Sequence, residues 1–245
     1  MKDLASVLRL PVLEICEIAE RDEKQPVLTS YMKRGIHSMR RCVIIGGADI
    51  VNYKAVRTYL CPDDYFVCCD SGLKHRDGLD VQPDLVIGDF DSSENPDLPV
   101  ETIVLPCEKD DTDTMAAVRE MEKRGFEDFL LIGVFGNRLD HTLGNLYILL
   151  WLRNRGKNVL AVDDFSEMEI VMPGTTAQIN PVHPFFSLLF IAGPAQGVTI
   201  KNAKYSLKNA DVEPEYQYCV SNEPLPGKTA EVSLTRGVFL LIRDR

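Results

Sequence analysis

What the chain lacks narrows its function first. No apolar run approaches the roughly 18 to 20 residues that a membrane helix needs; the longest, Leu143 to Leu152, is broken by Gly144 and Asn145. Seven cysteines form no Cys-x-x-Cys pair, and their odd number includes several inside apolar runs. That usage excludes a disulfide scaffold or zinc ribbon and fits buried free thiols in a reducing compartment. Near the N-terminus Arg9, Pro11, Glu14 and Glu17 interrupt the apolar stretch, so a secretory signal is not expected. Basic residues are in deficit, 27 Lys+Arg against 37 Asp+Glu, a net charge of −10 over 245 residues. Such a balance argues against coating nucleic acid or an anionic membrane. The expected setting is the cytoplasm. A Walker A loop is missing as well: Pro226-Gly227-Lys228-Thr229 ends like one, but Asn222 stands where the first Gly belongs, between strand-like runs. A turn is expected there.

What is present is an ordinary globular composition, 45% apolar and 26% charged, at a length suited to one large domain or two modest ones. Residues 1–38 form an N-terminal extension with six acids, six bases and a helix expected from Pro11 to about Asp22. Over residues 39–165 short apolar runs (Cys42–Ile45, Tyr65–Cys69, Leu85–Ile87, Thr102–Leu105, Phe129–Ile132 and Asn158–Val162) alternate with helical stretches, which predicts a mostly parallel sheet with flanking helices. Asp111, Thr112 and Asp113 lead into one helix, with Met115, Val118 and Met121 at helical spacing and Gly125 as its stop. Leu139, Leu143, Leu146 and Leu150 form the apolar stripe of a second, which Asp140 or Asn137 would cap and Gly156 would close. Residues 166–245 change texture: short runs at Glu169–Met172, Ser187–Phe190, Val198–Ile200, Tyr218–Ser221, Ala230–Leu234 and Val238–Ile242, broken by turns, predict an antiparallel all-β sandwich. The fold class is therefore α/β followed by all-β.

The charge is concentrated. Between Asp80 and Thr114 eleven acids face one base, Lys109. Two carboxylates about 4 Å apart repel by roughly 4 kcal/mol at an effective dielectric of about 20, so converging acids call for a cation. Asp89 and Asp91 follow a buried strand, at the edge where open α/β sheets place ligands, and on an extended backbone their side chains would share one side. Hard oxygen ligands of this kind suit Mg²⁺ with substrate phosphates. Asp70 ends the neighbouring strand, and Gly46-Gly47 follows the first. Gly133 to Asn145 supplies a glycine-rich turn ahead of a helix, with Arg138 as a fork for phosphate or ribose.

The stretches PDLVIGDFDS, KDDTDTMAAV and GNRLDHTLGN, with the later pair Ser221-Asn222, resemble the ordered signatures of the thiamine pyrophosphokinase family from about Met39 to the chain's end. The resemblance implies transfer of a diphosphate from ATP to thiamine, Mg²⁺ as cofactor, and a homodimer whose active site lies near the subunit interface. It implies a nucleotide-binding catalytic domain over 39–165 and a thiamine-binding sandwich over 166–245. Carried over by residue, Asp89, Asp91 and Asp113 hold the metal, and Asp70 joins them as a catalytic acid. Asp70, Asp89, Asp91, Thr112, Asp113, Arg138 and Asp140 bind ATP, and Ser221 and Asn222 face thiamine, with Phe239 the nearest aromatic that could stack on it. A second class competes. Leu85–Asp91 also resembles the strand and Asp-x-Asp of haloacid-dehalogenase-type phosphatases, in which the first Asp is the nucleophile, although there the motif opens the fold, and here two strands precede it.

Overall fold

In the computed structural model the described residues are 40–90, 98–108, 110–216 and 219–245. Asp91 and the helix expected at Pro11–Asp22 lie outside them. The strands that need no turn or partner to be recognised are the doubly buried ones. β1 (Cys42–Ile45), β2 (Tyr65–Cys69), β3 (Leu85–Gly88), β5 (Asp128–Ile132) and β6 (Asn158–Val162) are near-continuous apolar runs, as strands covered on both faces must be. Together with β4 (Glu101–Val104), a half-exposed edge, they pair in parallel in the order β4-β3-β2-β1-β5-β6.

Helices cover both faces. α1 (Tyr53–Arg57), a 3-10 segment (Asp70–His75) and α2 (Arg76–Leu79) lie on one. α3 (Asp113–Lys123) and α4 (Leu139–Asn154) pack on the other through Ala117, Val118, Met121, Ile148, Leu149 and Leu152. The Thr112 side chain accepts from the Met115 amide at 3.2 Å and caps α3, and Gly125 follows its end with φ +90°. α4 departs from expectation in two ways. Arg138, not Asp140 or Asn137, occupies its N-cap, without a side-chain cap bond. The face it buries is that of Asn145, Ile148, Leu149 and Leu152, while Leu139 and Leu143 point to solvent. Both sides of this helix are apolar, so the leucine spacing alone does not say which faces inward.

The sheet then continues past β6 in antiparallel fashion through β7 (Ser166–Val171), β13 (Phe239–Asp244) and β9 (Phe186–Leu189). A second, four-stranded antiparallel sheet stacks on this part in the order β11-β10-β12-β8, from β8 (Thr176–Ile179), β10 (Ala195–Lys201), β11 (Leu207–Val212) and β12 (Ala230–Ser233). A mostly parallel sheet with flanking helices followed by an antiparallel β unit is what the sequence pattern indicates. The run at Tyr218–Ser221 is not a strand: Cys219–Ser221 is turn and bend, and Tyr218 lies outside the described residues. Pro226-Gly227-Lys228-Thr229 is a turn into β12, closed by the Lys228 amide on the Leu225 carbonyl at 2.9 Å.

β7 and β13 serve two cores at once. Met168, Ile170 and Leu240 face the helices, whereas Val171, Phe239 and Leu241 face the second sheet; alternate residues of a strand point to opposite faces. Where the sandwich face reaches its end, Arg243 bonds Glu169 and approaches Glu167 at 3.6 Å, and the Tyr59 hydroxyl donates to Glu167 at 2.6 Å. We expect Leu240→Ala and Leu241→Ala each to cost about 3 kcal/mol. Although they empty different cores, both should shift one cooperative transition in urea, because β13 belongs to both.

Candidate active site

Strand order decides where a ligand can bind. From β1 the chain adds β2, β3 and β4 on one side, then returns through α3 to set β5 on the other. Ligands of open α/β sheets bind beyond the carboxyl ends of the strands at such a reversal. There the turns after β1 and β5 part, and a cleft of about 340 Å³ opens between Gly46–Ala48, Asp70–Ser71, Thr112–Thr114 and Gly133–Arg138, with His141 and Asn145. Its size suits a small-molecule ligand. A larger recess of about 440 Å³ lies at the opposite edge, among Arg40, Asp64 and Asp84. Its charges are engaged with one another or with near neighbours: Arg40 reaches Asp84 at 3.2 Å, and Arg41 reaches Asp64 at 2.7 Å.

The floor of the switch-point cleft is two turns stitched together. The Gly46 amide donates to the Ile132 carbonyl and the Ala48 amide to the Gly133 carbonyl, each at 2.8 Å. A Cβ on Gly46 would stand 2.6 Å from the Gly133 oxygen, so only glycine allows this approach, and bare backbone faces the cleft. Asn145 of α4 fixes the second turn from below through its amide on the Val134 carbonyl at 2.6 Å.

Acids enter from two sides. Asp70 follows β2 and takes a left-handed φ of +40°, a strained conformation that costs of order 1–3 kcal/mol and collects at functional sites. Packing enforces it: Gly72 lies so close to β1 that a Cβ would come 2.1 Å from the Ile45 carbonyl oxygen, and a Cβ on Gly88 would fall 2.9 Å from the Asp70 Cβ. Asp113, at the first turn of α3, lines the cleft with its cap Thr112. Asp89 follows β3, half-buried, one strand out from Asp70 and outside the cleft lining. Phe90 after it is left-handed, φ +51°, so the same-side argument for an extended Asp-x-Asp does not apply here. Among the described residues no three such side chains stand at ligating separation; the carboxylates gathered here, Asp70 and Asp113 with Asp89 beside them, are nonetheless the hard donors that suit Mg²⁺.

The opposite wall carries paired charges. Arg138 and Asp140, both exposed, pair at 2.6 Å. The hydrogen bond from Arg138 holds the Asp140 carboxyl below its usual range, and Asp140 in turn raises the guanidinium. A residue that pattern reading does not single out joins them. Asp49 accepts from Lys74 Nζ and from Asn137 Nδ2, each at 2.9 Å, and those bonds, Lys74's first, lower its pKa. It ties the first turn to the second next to Arg138. Its only sequence signal is its place two residues after Gly46-Gly47.

Residues 56–161 match the thiamin pyrophosphokinase catalytic domain, and residues 176–239 match that family's vitamin B1 binding domain. The chain belongs to the thiamin pyrophosphokinase family. Thiamine pyrophosphokinase of Bacillus subtilis (strain 168) is 24% identical over 171 residues, covering 67% of this chain and 79% of the relative. The crystal structure of a Bacillus subtilis thiamine pyrophosphokinase superposes with a TM-score of 0.73 at 20% identity, covering 84% of this chain and 99% of that one. That of a thiamin pyrophosphokinase family protein from Enterococcus faecalis gives 0.67 at 27%, with coverage of 84% and 99%.

Within the segment matching the thiamin pyrophosphokinase B1 binding domain, Ser221 and Asn222 stand apart from the cleft and differ from each other. Asn222 is buried and committed: its amide donates to the Tyr205 carbonyl at 2.8 Å, and its oxygen accepts from the Tyr205 and Glu223 amides at 3.0 and 2.9 Å. It shapes the turn. Ser221 is exposed beside it, with φ +56°. Phe239 is fully buried, edge-on to Phe190 at 5.9 Å in the second core, and is not available to stack on a ligand. Among the described residues, the exposed aromatics nearest in sequence to Ser221 are Tyr205 and Tyr216. We expect Gly72→Ala, which must push Asp70 or β1 aside, to cost about 1–3 kcal/mol in urea unfolding and to lower turnover more than an equally destabilising change in the second core.

Proposed function

We propose that the protein transfers a diphosphate group from ATP to the hydroxyl of thiamine, giving thiamine diphosphate and AMP. One observation carries the reading: an acidic, glycine-floored cleft at the switch point of the segment matching a catalytic domain, in a chain that also holds a match to a B1 binding domain. The transfer is in-line. The thiamine hydroxyl oxygen forms a bond to the β-phosphorus, the bond from that phosphorus to the oxygen of the α-phosphate breaks, and AMP leaves with the electron pair. The hydroxyl proton passes to a carboxylate, Asp70 or Asp113. Positioning and electrostatics supply most of the rate in such a step. The bare amides of the glycine turns take the phosphate chain, Thr112 and Asp113 approach it from the α3 terminus, and Arg138 exchanges its exposed Asp140 partner for the nucleotide. Asp89, Asp91 and Asp113 would hold Mg²⁺, which when bound neutralises phosphate charge. Acidic walls also suit the cationic thiazolium of thiamine.

We further propose a homodimer with paired active sites at the interface. From β5 to β9 there are four strand steps, and Asn222 pairs beyond β9 with Phe186. At the usual interstrand spacing this sets Ser221 about 24 Å along the sheet from the cleft. One small substrate does not bridge that distance, so the B1 binding face of one copy serves the cleft of the other. α4 supports the arrangement. Its outward side carries Leu139, Leu143 and Tyr147, 73%, 48% and 61% exposed, one turn apart, and it starts at the cleft rim. A helix apolar on both faces belongs in an interior. The cytoplasm is the proposed compartment: the described cysteines are all free thiols, and burial pushes Cys68 up to about 12 and Cys219 up to about 11.

Incubation with ATP, Mg²⁺ and thiamine should release AMP only when thiamine is present; release of phosphate without an acceptor would instead favour the hydrolase. EDTA should stop the reaction and Mg²⁺ restore it, and Asp91→Ala should lower turnover at least about 100-fold. For the shared site, Asp113→Ala and Ser221→Arg should each be inactive alone. Mixed and re-paired, they should recover about a quarter of the wild-type rate, because half of the dimers then carry one intact site.

A further inference from the structure

Behind the first glycine turn lies a half-buried chain of hydrogen bonds, centred on a buried histidine, that the proposed reaction does not use. His75 ends the 3-10 segment that begins at Asp70, and it is almost fully buried. Its Nε2 lies 2.8 Å from the Ala48 carbonyl oxygen and its Nδ1 2.7 Å from the Tyr53 hydroxyl. A carbonyl oxygen can only accept, so Nε2 carries the proton. In a neutral ring Nδ1 then accepts, and the Tyr53 hydroxyl donates. One ring thus ties α1 and the 3-10 segment to Ala48. The amide of Ala48 is the one that holds Gly133, so the same residue is gripped on both sides, from below by His75 and across the floor by the β5 turn.

We infer that neutral His75 is a positioning residue for the nucleotide: by holding the Ala48 carbonyl it fixes the glycine turn that the phosphate chain approaches. The inference rests on the reading of the cleft as the ATP site. Without the ring, the Ala48 carbonyl loses its buried donor and the turn can rotate, which spoils the alignment of the Gly46 and Gly47 backbone with the phosphates while leaving the acids in place. Effects should therefore appear in nucleotide affinity and not in thiamine affinity.

Protonation loosens the other end of the tether: Nε2 keeps its bond to the Ala48 carbonyl, while Nδ1 ceases to accept from Tyr53. Burial, first, lowers the pKa of His75. The charged groups around it are Lys74 on its own segment, Asp49 on the turn and Asp164 on the β6–β7 turn, with the neutral Tyr53 in contact. A second proton would go to Nδ1, so the Tyr53 hydroxyl would have to turn from donor to acceptor, and burial disfavours the cation formed there. Because the folded ring binds its proton less readily than the unfolded one, its contribution to stability is whole above about pH 6.5 and declines as the pH falls below that value.

The test measures ATP binding to the full chain by titration calorimetry with Mg²⁺, alongside the KM for thiamine. His75→Gln places an amide donor near the position of Nε2; His75→Leu removes it. The expected result is about tenfold weaker ATP binding for His75→Leu, an unchanged thiamine KM, and rescue to within about threefold by His75→Gln. Equal affinities for wild type and His75→Leu, or equal losses in both variants, would overturn the inference while leaving the ATP reading intact. Failure of the wild type to bind ATP would overturn both. Should His75→Leu not fold, the comparison of wild type with His75→Gln from pH 7.5 to 5.5 decides. A wild-type affinity that falls more steeply than that of the Gln variant supports the tether, and parallel profiles refute it.

Discussion

Two strands buried on both faces organise this molecule. β7 and β13 give alternate side chains to a helix-covered core and to a sheet-covered core, so neither half can be removed without exposing half the residues of the strands it shares. The pairing of Phe239 to Asp244 with Ser166 to Val171 is uninterrupted. A register slip of one residue would exchange the two sets and send Arg243 into an apolar layer. The ionic cluster of Arg243, Glu167 and Glu169 guards against that slip, since it has partners in one register only. Fidelity of this seam is thus the condition for both the cleft and the B1 binding segment.

The cleft follows from chain order more than from any one residue. β1 has β2 on one side and β5 on the other, and the two turns diverge because one leads on to β2 and the other, through α4, to β6 on the opposite side. Small residues then let the turns touch at their bases, and the acids arrive on rigid supports, a strand end and a helix start. Asp70 pays for its placement with a left-handed backbone, and the packing of Gly72 against β1 holds it there. Charge in the opening is divided: Asp70 and Asp113 enter from the β2 and α3 side, and Arg138, paired with Asp140, stands opposite. A polyphosphate needs both a cation beside the acids and a guanidinium across from them.

Much of this was legible in residue order, and the exceptions have physical causes. β1, β2 and β6 stand at the residues their apolar runs indicate, because a strand covered on both faces has no polar positions to confuse the pattern. β8 and β11 carry no such signal. Their sequences, TAQI and LKNADV, belong to the two edges of the second sheet, where solvent takes one side and the apolar alternation thins out. The orientation of α4 is illegible for the opposite reason, since apolar residues surround it. In the site, Asp70, Thr112, Asp113 and Arg138 come together as their positions at strand ends and helix starts suggest. Asp49 and His75 escape notice because they act on backbone and side chains 22 or more residues away, as His75 does on Tyr53 across 22 and on Ala48 across 27, and no local pattern encodes such a bond.

The shared sheet has a consequence for how the substrate is enclosed. Many kinases shut out water by swinging one domain over another on a few flexible connecting residues. Here one sheet runs through both cores, crossing from β6 to β7 by the pairs Ala161–Met168 and Val162–Glu167, and β7 and β13 beyond it are packed on both faces. A continuous sheet of this kind resists hinge closure between the two cores, and a face laid against the cleft by a second copy, as proposed above, is the alternative way to exclude water. For this architecture, association of copies would do the work that domain closure does elsewhere.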